Sequence, residues 1–234
     1  MARTGGDARE DAGNAQAAGS LPAGPGFICL DSMVLIHFNR VGRLEVLCEW
    51  FGPLVFTAHA VLELELGAAV RRHPENKAIL EADWLKPVPV DEVEDIKLVA
   101  DLRQRWGSRD DGDRGEAEII ALCGRHGWTA IMDDDVGRTA AKEHGVARVY
   151  MLTAMIAAAS HGLVTPEEAW RLHCSIEAER RRAILSAGDA HKPVFMACVS
   201  HFRRLTEKRG GPPWPEMLAV KGLDDLVVWV RKNT

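Results

Sequence analysis

No two cysteines in this chain are spaced Cys-x-x-Cys, and none stands in a cluster with histidines. Cys29, Cys48, Cys123, Cys174 and Cys198 are scattered through apolar stretches, an odd count at irregular spacing. That pattern speaks against a disulfide framework or a structural zinc site and for reduced, core-filling thiols. Long hydrophobic runs are missing as well. A bilayer span takes roughly 20 apolar residues, whereas the stretch from Met151 to Ala159 is followed by His161 and Gly162 and reads as a buried helix. The first residues hold no apolar run of the signal-peptide kind, so the expected location is the cytoplasm. Basic excess is also lacking. A formal net charge of −5 weighs against a module that coats duplex nucleic acid, but leaves room for an enzyme with a local basic patch. There is no internal repeat and no Ser-His-Asp or Cys-His arrangement; the nine histidines are scattered, and none is assigned a catalytic role.

What is present divides the chain in three. Residues 1–25 are rich in Ala, Gly and Asp without apolar periodicity and are expected to be disordered. From residue 26 to 182, short apolar runs alternate with amphipathic stretches. Phe27–Leu30, Leu54–Phe56, Trp128–Met132 and Val146–Val149 read as strands, and the proline-bearing segment Trp84–Val90 as an extended edge. Helices are expected from Met33, over Arg43–Trp50, from Thr57 to Leu66, over Glu92–Trp106 and Ala117–Cys123, from Gly137 to His144, and over Met151–His161 and Pro166–Arg182. Ser108–Arg114 reads as a polar loop. Strands alternating with helices argue for an α/β fold with a parallel, doubly wound sheet. Residues 183–234 form a mainly helical extension, either packed on the core or binding a partner.

Acidic residues gather where such a sheet places its ligands. Asp31 follows the first strand and Asp133-Asp134-Asp135 follow the strand Trp128–Met132, both at carboxyl ends. Carboxylates gathered there repel one another unless a cation neutralises them, and oxygen-only ligands favour Mg²⁺ or Mn²⁺ over zinc. An Asp at a strand end also caps helices, and Glu116, just after Gly115, also suits a helix's first turn. Glu63 follows the second strand. Glu65 and Glu118 read as solvated helix faces. Ser32 is placed either to cap the first helix or to lend a hydroxyl to a metal shell or a phosphate.

Taken in order, these blocks resemble the PIN-domain family. Asp31-Ser32-Met33-Val34-Leu35-Ile36 with Gly42–Leu47 is similar to its opening, and Thr57–Leu66 to its second block, with Glu63-Leu64 the best fit and Glu65 the alternative. Arg114-Gly115-Glu116-Ala117-Glu118 resembles the Gly-Glu-Ala-Glu helix of a VapC-like ribonuclease subgroup, and Met132-Asp133-Asp134 with Arg138 the last acidic block. The likeness spans about residues 27 to 175. It implies a three-layer α/β/α fold around a parallel sheet of four to five strands. It also implies a metal-dependent ribonuclease with Asp31, Glu63, Glu116 and Asp134 as catalytic carboxylates, and Asp31, Glu116, Asp134 and Asp133 as ligands for Mg²⁺ or Mn²⁺. A toxin role with an antitoxin partner, and a homodimer, follow from the same likeness, although the long extension is atypical of compact toxins. RNA contacts are expected at Ser32, Arg138 and Arg114, with Arg109, Arg180-Arg181-Arg182 and Arg203-Arg204 as further candidates. The alternatives are a PIN-like scaffold that binds nucleic acid or protein without cutting, and another acidic-pocket enzyme. A phosphohydrolase is disfavoured because Asp31-Ser32-Met33 lacks an Asp-x-Asp pattern.

Overall fold

Alternation along the central strands decides the architecture. In β1 (Ile28–Leu30), Ile28 and Leu30 enter one apolar core while Cys29 enters another. In β2 (Leu54–Thr57), Leu54 and Phe56 join the first core and Val55 the second, and in β4 (Thr129–Ile131) Ile131 and Ala130 divide likewise. Successive side chains of a strand point to opposite faces, so a sheet apolar on both faces must be covered on both. The computed structural model describes residues 24, 26–52, 54–70, 73–108, 113–180, 191–208, 214 and 216–219. Within them the result is a three-layer α/β/α fold around a parallel sheet.

With β3 (Leu85–Val88) and β5 (Ala147–Val149), the sheet has five parallel strands in the order β3-β2-β1-β4-β5. The proline-bearing β3 lies at an edge, as its composition requires. The chain builds outward from β1 to β3, then returns to lay β4 on the other side of β1, with Leu30 opposite Ile131. That reversal opens a crevice at the carboxyl ends of β1 and β4.

Ten helices complete the described fold. On the first face lie α1 (Ser32–Arg40), α2 (Glu45–Phe51), α8 (Met151–His161) and α9 (Pro166–Arg180), each contributing buried residues to the first core. On the second lie α5 (Val93–Trp106), α6 (Arg114–His126) and α7 (Asp135–Glu143). The helix α3 (Ala58–Ala69) follows β2 directly, and the short α4 (Asn76–Leu80) packs beside it. Helix α6 begins at Arg114, earlier than the apolar pattern from Ala117 alone indicates.

Beyond residue 182, α10 (Lys192–Lys208) lays Phe195, Cys198, Val199 and Phe202 into the first core. Trp214 stacks on Phe51 at 5.6 Å and on His161 at 5.5 Å, and its indole N–H donates to the Trp50 carbonyl. Met217 and Leu218, in a 3₁₀ turn over Glu216–Ala219, are buried in the same core. The expectation of disorder over residues 1–25 falls outside the described residues except at Gly24, whose N–H donates to the His126 carbonyl. No helix among the described residues is long and apolar enough to cross a membrane.

Candidate active site

The crevice between β1 and β4 is lined with acids because the backbone turns from strand to helix there. Asp31 ends β1 and caps α1: its Oδ1 accepts the Met33 N–H at 3.3 Å. Capping therefore falls to Asp31, one of the two readings of a strand-end aspartate, and not to Ser32. Asp134 plays the same part after β4, its Oδ2 accepting from the N–H groups of Val136 (2.6 Å) and Gly137 (2.8 Å). An aspartate at a helix N-cap meets partial positive charge and satisfies otherwise unpaired donors. Asp133 turns the other way and accepts the Met151 N–H at 2.9 Å, at the start of α8. Asp135 accepts from the Tyr150 hydroxyl at 2.7 Å.

Ser32 instead bridges. Its hydroxyl donates to Glu63 Oε2 at 2.9 Å and lies 3.4 Å from Asp31 Oδ1, joining the acid of α1 to that of α3. Glu116, near the start of α6, packs over Gly137 so closely that a Cβ there would lie 3.2 Å from its Cγ and 3.3 Å from its Cβ. The carboxylates of Asp31 and Asp134, at the N-caps of α1 and α7, and of Glu63 and Glu116, on α3 and α6, thus come to one end of the sheet.

Electrostatics binds the group together. Burial raises the Asp31 carboxyl from its ordinary 3.8 to about 7, with the Glu116 charge next and smaller additions from Asp133 and Glu63; only the Met33 N–H opposes them. Burial also pushes Glu116 up, followed by Glu63, Asp134 and Asp113. A carboxyl that resists ionisation because water is excluded and its neighbours are negative is poised for a cation. The donors are all oxygens, which fits a hard divalent ion. As they stand, no three His, Cys, Asp or Glu side chains among the described residues are close enough to close on one ion. The Glu63 side chain is 41% exposed and Glu116 is half-buried.

A cavity of about 770 Å³ runs from Asp31, Glu63 and Glu116 along α1 and α3 to Arg40 and His73. A family model described as a PIN domain matches residues 27–181, two-thirds of the chain. The chain belongs to the PIN-domain family. PIN domains are generally nucleases. Neither a curated protein nor a solved structure matches the chain.

Set against the sequence, this PIN domain brings the four acids and Ser32 together but places other residues elsewhere. Arg138 is buried: its guanidinium lies 3.2 Å from the Tyr150 ring centre and donates to the Met132 carbonyl at 3.4 Å. It braces the turn after β4 instead of facing a phosphate. Arg114 is half-exposed and pairs with Glu118 at 2.9 Å. Arg203 donates to the Ser160 carbonyl, while Arg109, Arg181 and Arg182 lie outside the described residues, as does the Arg180 side chain. Glu65 is exposed, as expected.

Glu118 is not a solvated face. It is 3% exposed and accepts the His59 backbone N–H at 3.2 Å as well as Arg114. Two positions on from Glu116, it points to the opposite side of α6, toward α3. The buried His59, beside Glu63, was likewise unmarked in the sequence.

Proposed function

We propose that this PIN domain is a divalent-metal-dependent endoribonuclease, hydrolysing RNA phosphodiesters over the crevice between β1 and β4. The observation that carries the reading is Asp31, a buried carboxylate raised to about 7 with acidic neighbours on α3, on α6 and in the turn after β4. Such crowding costs stability, and a scaffold has no use for it. Asp31, Glu63, Glu116 and Asp134 would hold one or two Mg²⁺ or Mn²⁺ ions, with Asp133 adjoining. The bound ion would lower the pKa of a water and offset charge on the phosphate. Ser32 keeps Glu63 turned toward Asp31, and the α1–α3 cavity admits the strand. The toxin role belongs to the same reading: Met33, Leu62 and Leu66, exposed and apolar along that cavity, offer an antitoxin the surface it needs to block the acids.

The test is cleavage of a mixed RNA pool. Cleavage should require Mg²⁺ or Mn²⁺, stop in EDTA, and fall by about 100-fold or more in Asp134→Asn, a change that keeps the cap on α7. Metal-independent cleavage, or an Asp134→Asn variant as active as wild type, would overturn the assignment.

Gly137→Ala probes Glu116 without removing it. Its new Cβ presses on Glu116 and on Met132 Cε at 3.3 Å. Displacement by a few tenths of an ångström should lower kcat by roughly 10-fold, because catalysis is steeply sensitive to position. Urea unfolding should change little, since alanine's helix preference offsets the crowding.

A further inference from the structure

We infer that His59 is a positioning residue that holds Glu63 for metal binding; this rests on the nuclease reading above. Glu63 has its side chain 41% exposed, and holding a long exposed carboxylate in one rotamer costs side-chain entropy. Ser32 secures its Oε2 at 2.9 Å. The other oxygen, Oε1, faces His59 Nε2 at 3.6 Å, one helical turn away on α3. That distance is longer than a formed hydrogen bond, and a small rotation of either side chain closes it.

His59 is built to stay where it is. Its residue is 6% exposed, and its own backbone N–H is held by the buried Glu118 of α6. Gly115, at the start of the same α6, lies against the pair: a Cβ there would be 3.9 Å from both Glu63 Oε2 and His59 Cδ2. Nδ1 is buried without a hydrogen-bond partner among the described residues. A ring hydrogen on Nδ1 would be a buried donor with nothing to accept it, whereas one on Nε2 points at a carboxylate. The ring is therefore an Nε2–H donor. When Glu63 turns Oε2 toward an ion, His59 retains Oε1, just as partners behind a ligand fix its orientation at metal centres.

Two substitutions separate this role from mere packing. In His59→Gln the amide nitrogen reaches the place of Nε2; in His59→Asn it reaches only the place of Nδ1. By electron paramagnetic resonance, Mn²⁺ should bind the Asn variant roughly 10-fold more weakly than wild type, with the Gln variant close to wild type and kcat for RNA following the same order. In a Glu63→Gln background the Asn effect should vanish. As a measurement that needs no change at the buried site, the ¹⁵N signal of His59 Nε2 should move in Glu63→Gln. Equal Mn²⁺ affinity in the Asn and Gln variants, or an Nε2 signal indifferent to Glu63→Gln, overturns this proposal alone. A wild-type protein that binds no Mn²⁺ overturns the nuclease reading and this proposal with it.

Discussion

Asp31→Asn should abolish RNA cleavage and at the same time stabilise the protein. Cleavage is expected to fall by at least about 100-fold, the upper end of what losing even an outer partner costs a metal site. The gain in stability follows from the raised carboxyl. Folded Asp31 keeps its proton up to about pH 7, while the unfolded chain releases it near the ordinary 3.8. Between those values the folded form binds more protons, so wild-type stability falls as pH rises through the window and stays reduced above it. The neutral amide avoids that penalty while still capping α1 through the Met33 N–H. The full elevation corresponds to roughly 4 kcal/mol, an upper bound for the gain. In urea unfolding, the advantage of Asp31→Asn should be near zero at pH 4 and reach its maximum above pH 7. Saturating Mn²⁺ should restore the wild type and leave the variant unchanged, because only a protein that binds the ion is stabilised by it. A variant no more stable than wild type at pH 8 would mean that Asp31 is not strained.

The second large effect concerns an acid outside the centre. Glu118→Ala should cost roughly 2–4 kcal/mol in urea unfolding, since it leaves the His59 N–H at the start of α3 without its acceptor and Arg114 without its carboxylate. The Glu118 side chain is 4% exposed, so water cannot substitute freely. Glu118→Gln retains an acceptor for the N–H and should cost clearly less. Equal losses in the two variants would show that the charge on Glu118, not the acceptor, is what matters. A loss below about 0.5 kcal/mol in the Ala variant would return Glu118 to the ordinary surface class.

Those two acids also mark how far the sequence could be read. Asp31 was legible because two local signals coincide there: a short apolar run that can only be a buried strand, and an acid at its carboxyl end. The same holds for Asp133 and Asp134 after Trp128–Met132. The five strands and most helices follow from such runs, and Pro87 and Pro89 confine β3 to an edge. Glu118 failed for the opposite reason. Its position on α6 is visible, but its partner, the His59 N–H, arrives from 59 residues away through the packing of α3. Arg138 is a similar case: beside Asp134 it looks like a phosphate ligand in the sequence, and only the fold brings Tyr150 under its guanidinium. The five-residue α4 is too short to show a periodicity. In α10, Phe195, Val199 and Phe202 show a helical stripe, but the surface that the stripe covers is a tertiary fact.

Titration calorimetry of Mn²⁺ into the wild type at pH 6.5, in two buffers of different ionisation heat, asks whether these carboxylates form one cation centre. Because Asp31 is raised to about 7, binding must drive off its proton. A saturable binding heat that differs between the buffers is expected in wild type, with a fraction of a proton released, and neither signal in Asp31→Asn. Binding that persists unchanged in Asp31→Asn, or no binding by the wild type, would contradict such a centre.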